Sequence, residues 1–118
     1  MDTLKEILKK QMEINKKVSW KWEELEENNV SLAMRQELTK EYTLALMMEC
    51  AELLEEINWK FWKKTQKDIA IKRICEEIID IGHFWFSLCL IWWMDDKKIK
   101  RMYLQKAAEN IKRQERGY

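Results

Sequence analysis

Two acidic doublets, Glu49-x-x-Glu52 and Glu77-x-x-Asp80, lie inside stretches that otherwise read as the apolar face of a helix. Residues three apart on a helix project about 60° from one another, so each doublet occupies a single face. That face carries Tyr42, Ala45, Leu46 and Leu53 around the first pair, and Ala70, Ile74, Ile81, Phe84 and Leu88 around the second. A buried, unpaired carboxylate costs several kcal/mol of the ~5–15 kcal/mol that stabilises a domain, so converging acids call for a counter-charge. Between Ile78 and Met94 there is no Lys or Arg, and the nearest basic residue is Arg73, one turn before Glu77. Carboxylates without a matching set of His or Cys donors form a hard oxygen site, suited to Mg²⁺ or Mn²⁺ rather than Zn²⁺. The plainer alternative is that these acids sit on solvated faces and pair with basic residues, since 36% of the chain is charged and a single E-x-x-E is common on helices.

The elements that must position these residues are helices. The chain has no proline and only two glycines in 118 residues, too little punctuation for hairpins and sheets. It reads as all-α and, at this length, as one domain over residues 1–118. A first amphipathic helix spans about Thr3 to Val18. Residues 19–30 form a connection with one helical turn. Ser31 caps a second helix that reaches about Ile57, and a Thr65-x-x-Asp68 capping box opens a third that runs to about Met94. Asp95 or Asp96 caps a fourth, which continues through Arg113 and stops near Gly117. If the two long central helices pack antiparallel, as in a four-helix bundle, their acidic doublets meet.

Twenty-two basic and 21 acidic residues are mixed along the chain for a net charge of +1, which disfavours a nucleic-acid-binding face. Cys50, Cys75 and Cys89 are odd in number and flanked by apolar residues, so they read as reduced core thiols of a cytoplasmic protein. The apolar run from Ile81 to Met94 is shorter than the ~20 residues of a membrane span and reads as a buried core helix. Gly82, within it, reads as a point of close helix packing. Seven tryptophans in so short a chain exceed what one core buries, so some should line a pocket or a subunit interface, with Trp92 or Trp93 meeting a second copy.

Several segments together resemble the all-α nucleoside triphosphate pyrophosphatases and, within them, the dimeric dUTPase family. Glu49-x-x-Glu52-Leu53-x-x-Glu56 followed by Trp59-Lys60-Phe61-Trp62 is similar to that family's acidic helix and aromatic-lysine loop. Glu77-x-x-Asp80-x-x-His83-Phe84 with Ser87-Leu88 is similar to its second acidic helix. The C-terminal run Tyr103, Lys106, Asn110, Arg113, Gln114, Gly117 and Tyr118 follows its closing motif, and Gln11-x-x-x-Asn15 resembles its base-reading motif more weakly.

The resemblance implies Mg²⁺-dependent hydrolysis of dUTP to dUMP and pyrophosphate by a homodimer or a dimer of dimers, with dUDP as a further candidate substrate. Glu49, Glu52, Glu77 and Asp80 would hold two or more Mg²⁺ ions, and Glu49 or Glu52, with Glu49 preferred, would activate the attacking water. Lys60, Lys106 and Arg113, with Tyr103 and Asn110, would serve the phosphates, in part from a partner subunit. Gln11, Asn15, His83 and Phe84 would meet the uracil, with Trp62 or Phe84 against its face.

Each assignment has a bland counterpart. A lone His83 on an apolar helix is by default a satisfied core histidine, Gln11 and Asn15 are by default surface residues, and Lys106 and Arg113 are by default solvated. Trp59, Phe61 and Trp62 read equally well as a hydrophobic plug. Two further functions compete: a related pyrophosphatase acting on dCTP or a modified nucleotide, and a non-enzymatic helical oligomer.

Overall fold

Residues 3–117 are described by the computed structural model, which contains five helices: α1 Thr3–Val18, α2 Lys21–Glu26, α3 Leu32–Glu55, α4 Ile71–Ile91 and α5 Asp96–Glu115. Helix is the only regular structure among the described residues, so the all-α expectation holds. The connection at residues 19–30 contributes the extra short helix, α2, whose Trp22 and Leu25 are buried.

Local chemistry sets most of the boundaries. Ser31 caps α3 by accepting from the Met34 amide at 3.1 Å, and Asp95 caps α5 by accepting from the Lys98 amide at 2.8 Å. The Thr65/Asp68 capping box does not form. Instead, the Asn58 side chain bonds both backbone groups of Lys67, at 2.9 and 3.0 Å. That double bond keeps residues 65–68 in the loop, and α4 starts at Ile71 after an extended Ala70 with no side-chain cap. At its other end α4 stops at Ile91, short of Met94, because Trp93 turns left-handed (φ 57°) and the Met94 amide closes back on the Cys89 carbonyl at 3.0 Å. This is a Schellman closure with tryptophan where glycine is usual. α2 ends the same way, with Asn28 at φ 59° and the Asn29 amide on the Glu24 carbonyl at 2.8 Å.

α3 and α4 form the main pair. Their contacts run in opposite senses, Arg35 to Ile91, Tyr42 to Phe84 and Glu56 to Arg73, so the pair is antiparallel. α1 also packs on α4, and α5 packs on α1. One core cluster gathers Trp22, Leu25, Leu38 and Ile91, and a second gathers Leu8, Cys89 and Ile99. Cys89 is thus a core thiol as expected, but Cys50 and Cys75 are exposed; all three are free. Gly82 also departs from its sequence reading. A Cβ there would meet only the Phe86 ring edge, at an ordinary 3.8 Å, so no close helix approach within the chain requires glycine.

Arg35 is the least expected core residue. It is 1% exposed, and no carboxylate pairs with it among the described residues. Its guanidinium donates to the Ile91 carbonyl at the C-terminus of α4 and to Asn28 Oδ1 at 2.9 Å. It also lies 3.7 Å from the centroid of the Trp93 ring, whose Nε1 donates to the same Asn28 oxygen at 3.1 Å. A cation at a helix C-terminus over an aromatic face is favourable on both counts. The two left-handed helix ends are therefore tied together by one arginine.

The radius of gyration is 17.7 Å, against about 13 Å for a compact 100-residue domain. α3 is apolar on two sides. Tyr42 and Leu53 are partly buried on the side that meets α4, whereas Leu44, Met47, Met48 and Leu54 on the other side are 45–64% exposed. α4 likewise exposes Ile71, Ile78, Ile79 and Trp85. No helix among the described residues is long and apolar enough to cross a membrane.

Candidate functional site

The antiparallel register of α3 and α4 brings three of the four doublet acids together. One carboxylate oxygen from each of Glu49, Glu52 and Glu77 lies within 4.8 Å of the others. Glu49 and Glu77 are half-buried and Glu52 is exposed, so the group opens to solvent on the Glu52 side. Asp80 stands outside that trio, although its charge still bears on Glu49. Among the described residues none of the four forms an ion pair. Arg73, the basic residue nearest in sequence, turns instead to Glu56 at 3.5 Å.

The electrostatic consequence falls on Glu49. Burial, then the neighbouring Glu52 and Glu77 carboxyls and the Asp80 charge, push its carboxyl up to about 7. Glu49 Oε2 and Glu77 Oε2 are buried without a hydrogen-bond partner. Buried carboxylate oxygens without donors are unfavourable, and hard, negatively charged oxygens grouped in this way suit a divalent cation. The donor set therefore fits a divalent cation.

Between α1 and α4 lies an open groove of about 440 Å³ whose wall includes Ile7, Ile14, Ile79, Gly82 and Phe86, with Thr3, Glu6, Lys10, Gln11 and His83 as polar members. That volume is in the range of small-molecule sites, about 300–1,000 Å³. Gln11 and Asn15 are buried, at 5% and 3% exposure, which corrects the expectation that they lie on the surface. They belong to a closed set of hydrogen bonds. Gln11 Nε2 donates to Asn15 Oδ1 at 2.9 Å, Asn15 Nδ2 to Ser87 Oγ at 2.9 Å, and Ser87 Oγ to the His83 carbonyl at 2.7 Å. His83 Nδ1 meets Gln11 Oε1 at 2.6 Å. His83 is thus a satisfied, partly buried histidine, as the bland reading expects, whose ring also lines the groove. Ser87 is the member that sequence reasoning passed over as a site residue. Its signal was the spacing: Gln11/Asn15 and His83/Ser87 are both polar pairs one helical turn apart on otherwise apolar faces.

The remaining expected residues are placed apart. Phe84 packs against Tyr42, 5.9 Å between ring centroids, on the α3 side of α4 rather than on the groove wall. In the loop after α3, Trp62 stacks edge-on with Trp59 and Phe61, at 5.8 and 5.2 Å, and Lys60 Nζ lies 5.5 Å from the Trp59 ring centroid. This aromatic group is exposed, Phe61 at 88%, so within one chain it plugs nothing between helices. Tyr103, Lys106, Asn110 and Arg113 ride on α5, which is anchored on α1 and not on the acidic pair. Arg113 bonds Glu109 at 2.8 Å within that helix, and Tyr103 lines a groove with Leu4 and Ile99. The last motif residue, Tyr118, lies outside the described residues.

Comparison with known proteins gives the same direction. The sequence profile of a family described as dUTPase matches residues 3–94, which include both doublets, the aromatic loop and the Gln11–His83 ring. A dCTP pyrophosphatase of Enterobacteria phage LZ5 is 34% identical over 71 residues, covering 51% of this chain and 41% of the relative. The chain thus spans about two fifths of that relative's length. No solved structure matches significantly.

Proposed function

The chain belongs to the dUTPase family, and from that premise we propose that it hydrolyses a pyrimidine deoxynucleoside triphosphate, dUTP foremost, to the monophosphate and pyrophosphate. The observation that carries this reading is the unpaired carboxylate group of Glu49, Glu52 and Glu77, contributed by α3 and by the helix, α4, that also presents His83 to a groove shared with Gln11. Structural acids would be expected to hold ion pairs, and these hold none among the described residues; the non-enzymatic reading is weaker for that reason.

Glu49, Glu52 and Glu77, with Asp80 one turn along α4, are the residues that would hold Mg²⁺. When bound, the ion supplies Lewis-acid charge on the phosphate oxygens. Glu49, half-buried between Glu52 and Glu77, is the proposed group to orient the attacking water and take its proton. Exposed Glu52 lies where the triphosphate would approach. Lys60, one loop beyond α3, and Lys106 and Arg113, from a second copy, are the proposed cationic partners of the phosphates. A base in the α1–α4 groove would meet Gln11 and His83, with the Asn15 amide behind them and Trp62 closing from the loop.

A second reading, dCTP as substrate, is favoured by the name of the phage relative. Both are tested by kcat/KM for pyrophosphate release from a panel of deoxynucleoside triphosphates with Mg²⁺. Preference for dUTP supports the first reading and preference for dCTP the second; turnover of neither overturns both.

The reading also includes self-association. The uncovered stripe of Leu44, Met47, Met48 and Leu54 is a continuous apolar face larger than single exposed side chains explain. The double substitution Leu44→Glu/Met47→Glu is expected to turn a dimer into a monomer in sedimentation velocity and to lower activity. A wild-type monomer at micromolar concentration would contradict the assignment of this face.

A further inference from the structure

The four-member hydrogen-bond ring between α1 and α4 has a fixed direction, and one hydroxyl sets it. The Ser87 Oγ lies 2.7 Å from the His83 main-chain carbonyl, an oxygen that only accepts. The single hydroxyl proton is therefore committed to that carbonyl, and Oγ can only accept from its other neighbour. Asn15 must accordingly turn its Nδ2 to Ser87 at 2.9 Å and its Oδ1 to Gln11. Gln11 must turn Nε2 to Asn15 at 2.9 Å and Oε1 to the imidazole. The last contact, 2.6 Å from Gln11 Oε1 to His83 Nδ1, is then a bond only if Nδ1 carries the proton. Reversing both amides would require the Ser87 hydroxyl to turn to Asn15, leaving Ser87 Oγ and the His83 carbonyl as two acceptors 2.7 Å apart, an unfavourable contact in a buried site.

We infer that Ser87 is a positioning residue which, through Asn15 and Gln11, locks neutral His83 in the Nδ1–H tautomer, leaving Nε2 as a hydrogen-bond acceptor on a ring that lines the α1–α4 groove. Ser87 is fully buried and Asn15 is 3% exposed, so they act on a ligand only through His83 and Gln11. The ligand class follows from the acceptor: the groove favours a base that offers an N–H at that point over one that offers only a carbonyl oxygen. The uracil N3–H and the cytosine amino group both qualify. This deepens the nucleotide reading above, but the tautomer itself does not depend on it.

His83 is the single histidine of the chain, so a long-range ¹H–¹⁵N spectrum of the ¹⁵N-labelled 118-residue chain at alkaline pH contains one imidazole. The expected pattern places Nδ1 at the protonated position and Nε2 at the unprotonated one, the reverse of the tautomer that dominates for histidine free in water. Ser87→Ala should move both nitrogen shifts toward the free-histidine pattern, and Ser87→Thr, which keeps a hydroxyl able to bond the same carbonyl, should restore them. With the preferred nucleotide, Ser87→Ala should raise KM about tenfold, the loss of one hydrogen bond, with a smaller change in kcat and recovery in Ser87→Thr. A wild-type spectrum with Nε2 protonated overturns the inference without any variant, as does a folded Ser87→Ala protein whose imidazole pattern is unchanged. A shifted pattern with an unmoved KM overturns the assignment of Nε2 to the base. The spectrum is read without substrate, so absence of nucleotide turnover would defeat the functional reading and leave the tautomer test standing.

Discussion

Glu49→Gln is expected to lower pyrophosphate release by about 10²–10⁴-fold, the range for loss of a positioned general base, while the cation-free protein stays folded and becomes less sensitive to pH. Both effects have one cause. The Glu49 carboxyl is pushed from an ordinary 4.5 up to about 7 by burial and by the acids around it. Between those values the native chain holds a proton that the unfolded chain has released. Stability without a cation therefore falls as pH rises from about 4.5 to about 7 and levels off above that, because the native state binds the extra proton. Glutamine is uncharged at every pH, so the variant should lose most of this slope and match or exceed wild type in thermal stability at pH 8 in the presence of a chelator. Added Mg²⁺ should stabilise the wild type, by about 2.7 kcal/mol at one hundred times its dissociation constant, and should stabilise the variant much less. Thermal melts across pH, with chelator and with Mg²⁺, read all of this. A variant that melts well below wild type at pH 8 would mean that Glu49 is a structural partner.

Arg35→Ala should cause the largest loss of stability, about 3 kcal/mol or more, since bonds from a charged donor are worth about 1.5–3 kcal/mol each and truncation leaves their buried acceptors unmatched. The substitution orphans the Ile91 carbonyl and Asn28 Oδ1 and removes the cation from the Trp93 face. Trp93 and Asn28 are then held left-handed with less to hold them. Arg35→Lys should recover little, because an ammonium cannot bond both acceptors and stack on the ring together. Denaturant titration measures the difference. Loss of less than about 1 kcal/mol would mean that the node is solvated rather than packed. The site lies at the far end of the α3–α4 pair from the acids, so activity per folded molecule should hold.

Why Arg35 was invisible in the sequence is instructive. A basic residue near the start of an amphipathic helix defaults to solvent, and only the tertiary meeting of two left-handed helix ends gives it a buried role. The legible parts were those where local chemistry decides: α1, the Ser31 and Asp95 caps, and the face-sharing of the acid doublets. The start of α4 differs from the Thr65/Asp68 expectation because the Asn58 side chain, nine residues from Lys67, holds the Lys67 backbone in the loop, and no local pattern reveals that partner. Gln11 and Asn15 were hard to place for a related reason. Amides on a lysine-rich helix look solvated until His83 and Ser87 of α4 are known to face them. The exposed positions of Cys50, Cys75, Phe61 and Trp62 reflect apolar faces that one chain leaves uncovered, and sequence periodicity does not say which of two apolar faces another element will cover.

The proposed activity is cleavage of a pyrimidine deoxynucleoside triphosphate between its α- and β-phosphates at the Glu49, Glu52 and Glu77 group. Phosphorus NMR of dUTP and of dCTP incubated with the protein and Mg²⁺ tests it most directly. The predicted result is one equivalent each of nucleoside monophosphate and inorganic pyrophosphate from at least one of the two, lost on chelation and in Glu49→Gln. Release of orthophosphate and a nucleoside diphosphate, or unchanged spectra for both nucleotides, would contradict it.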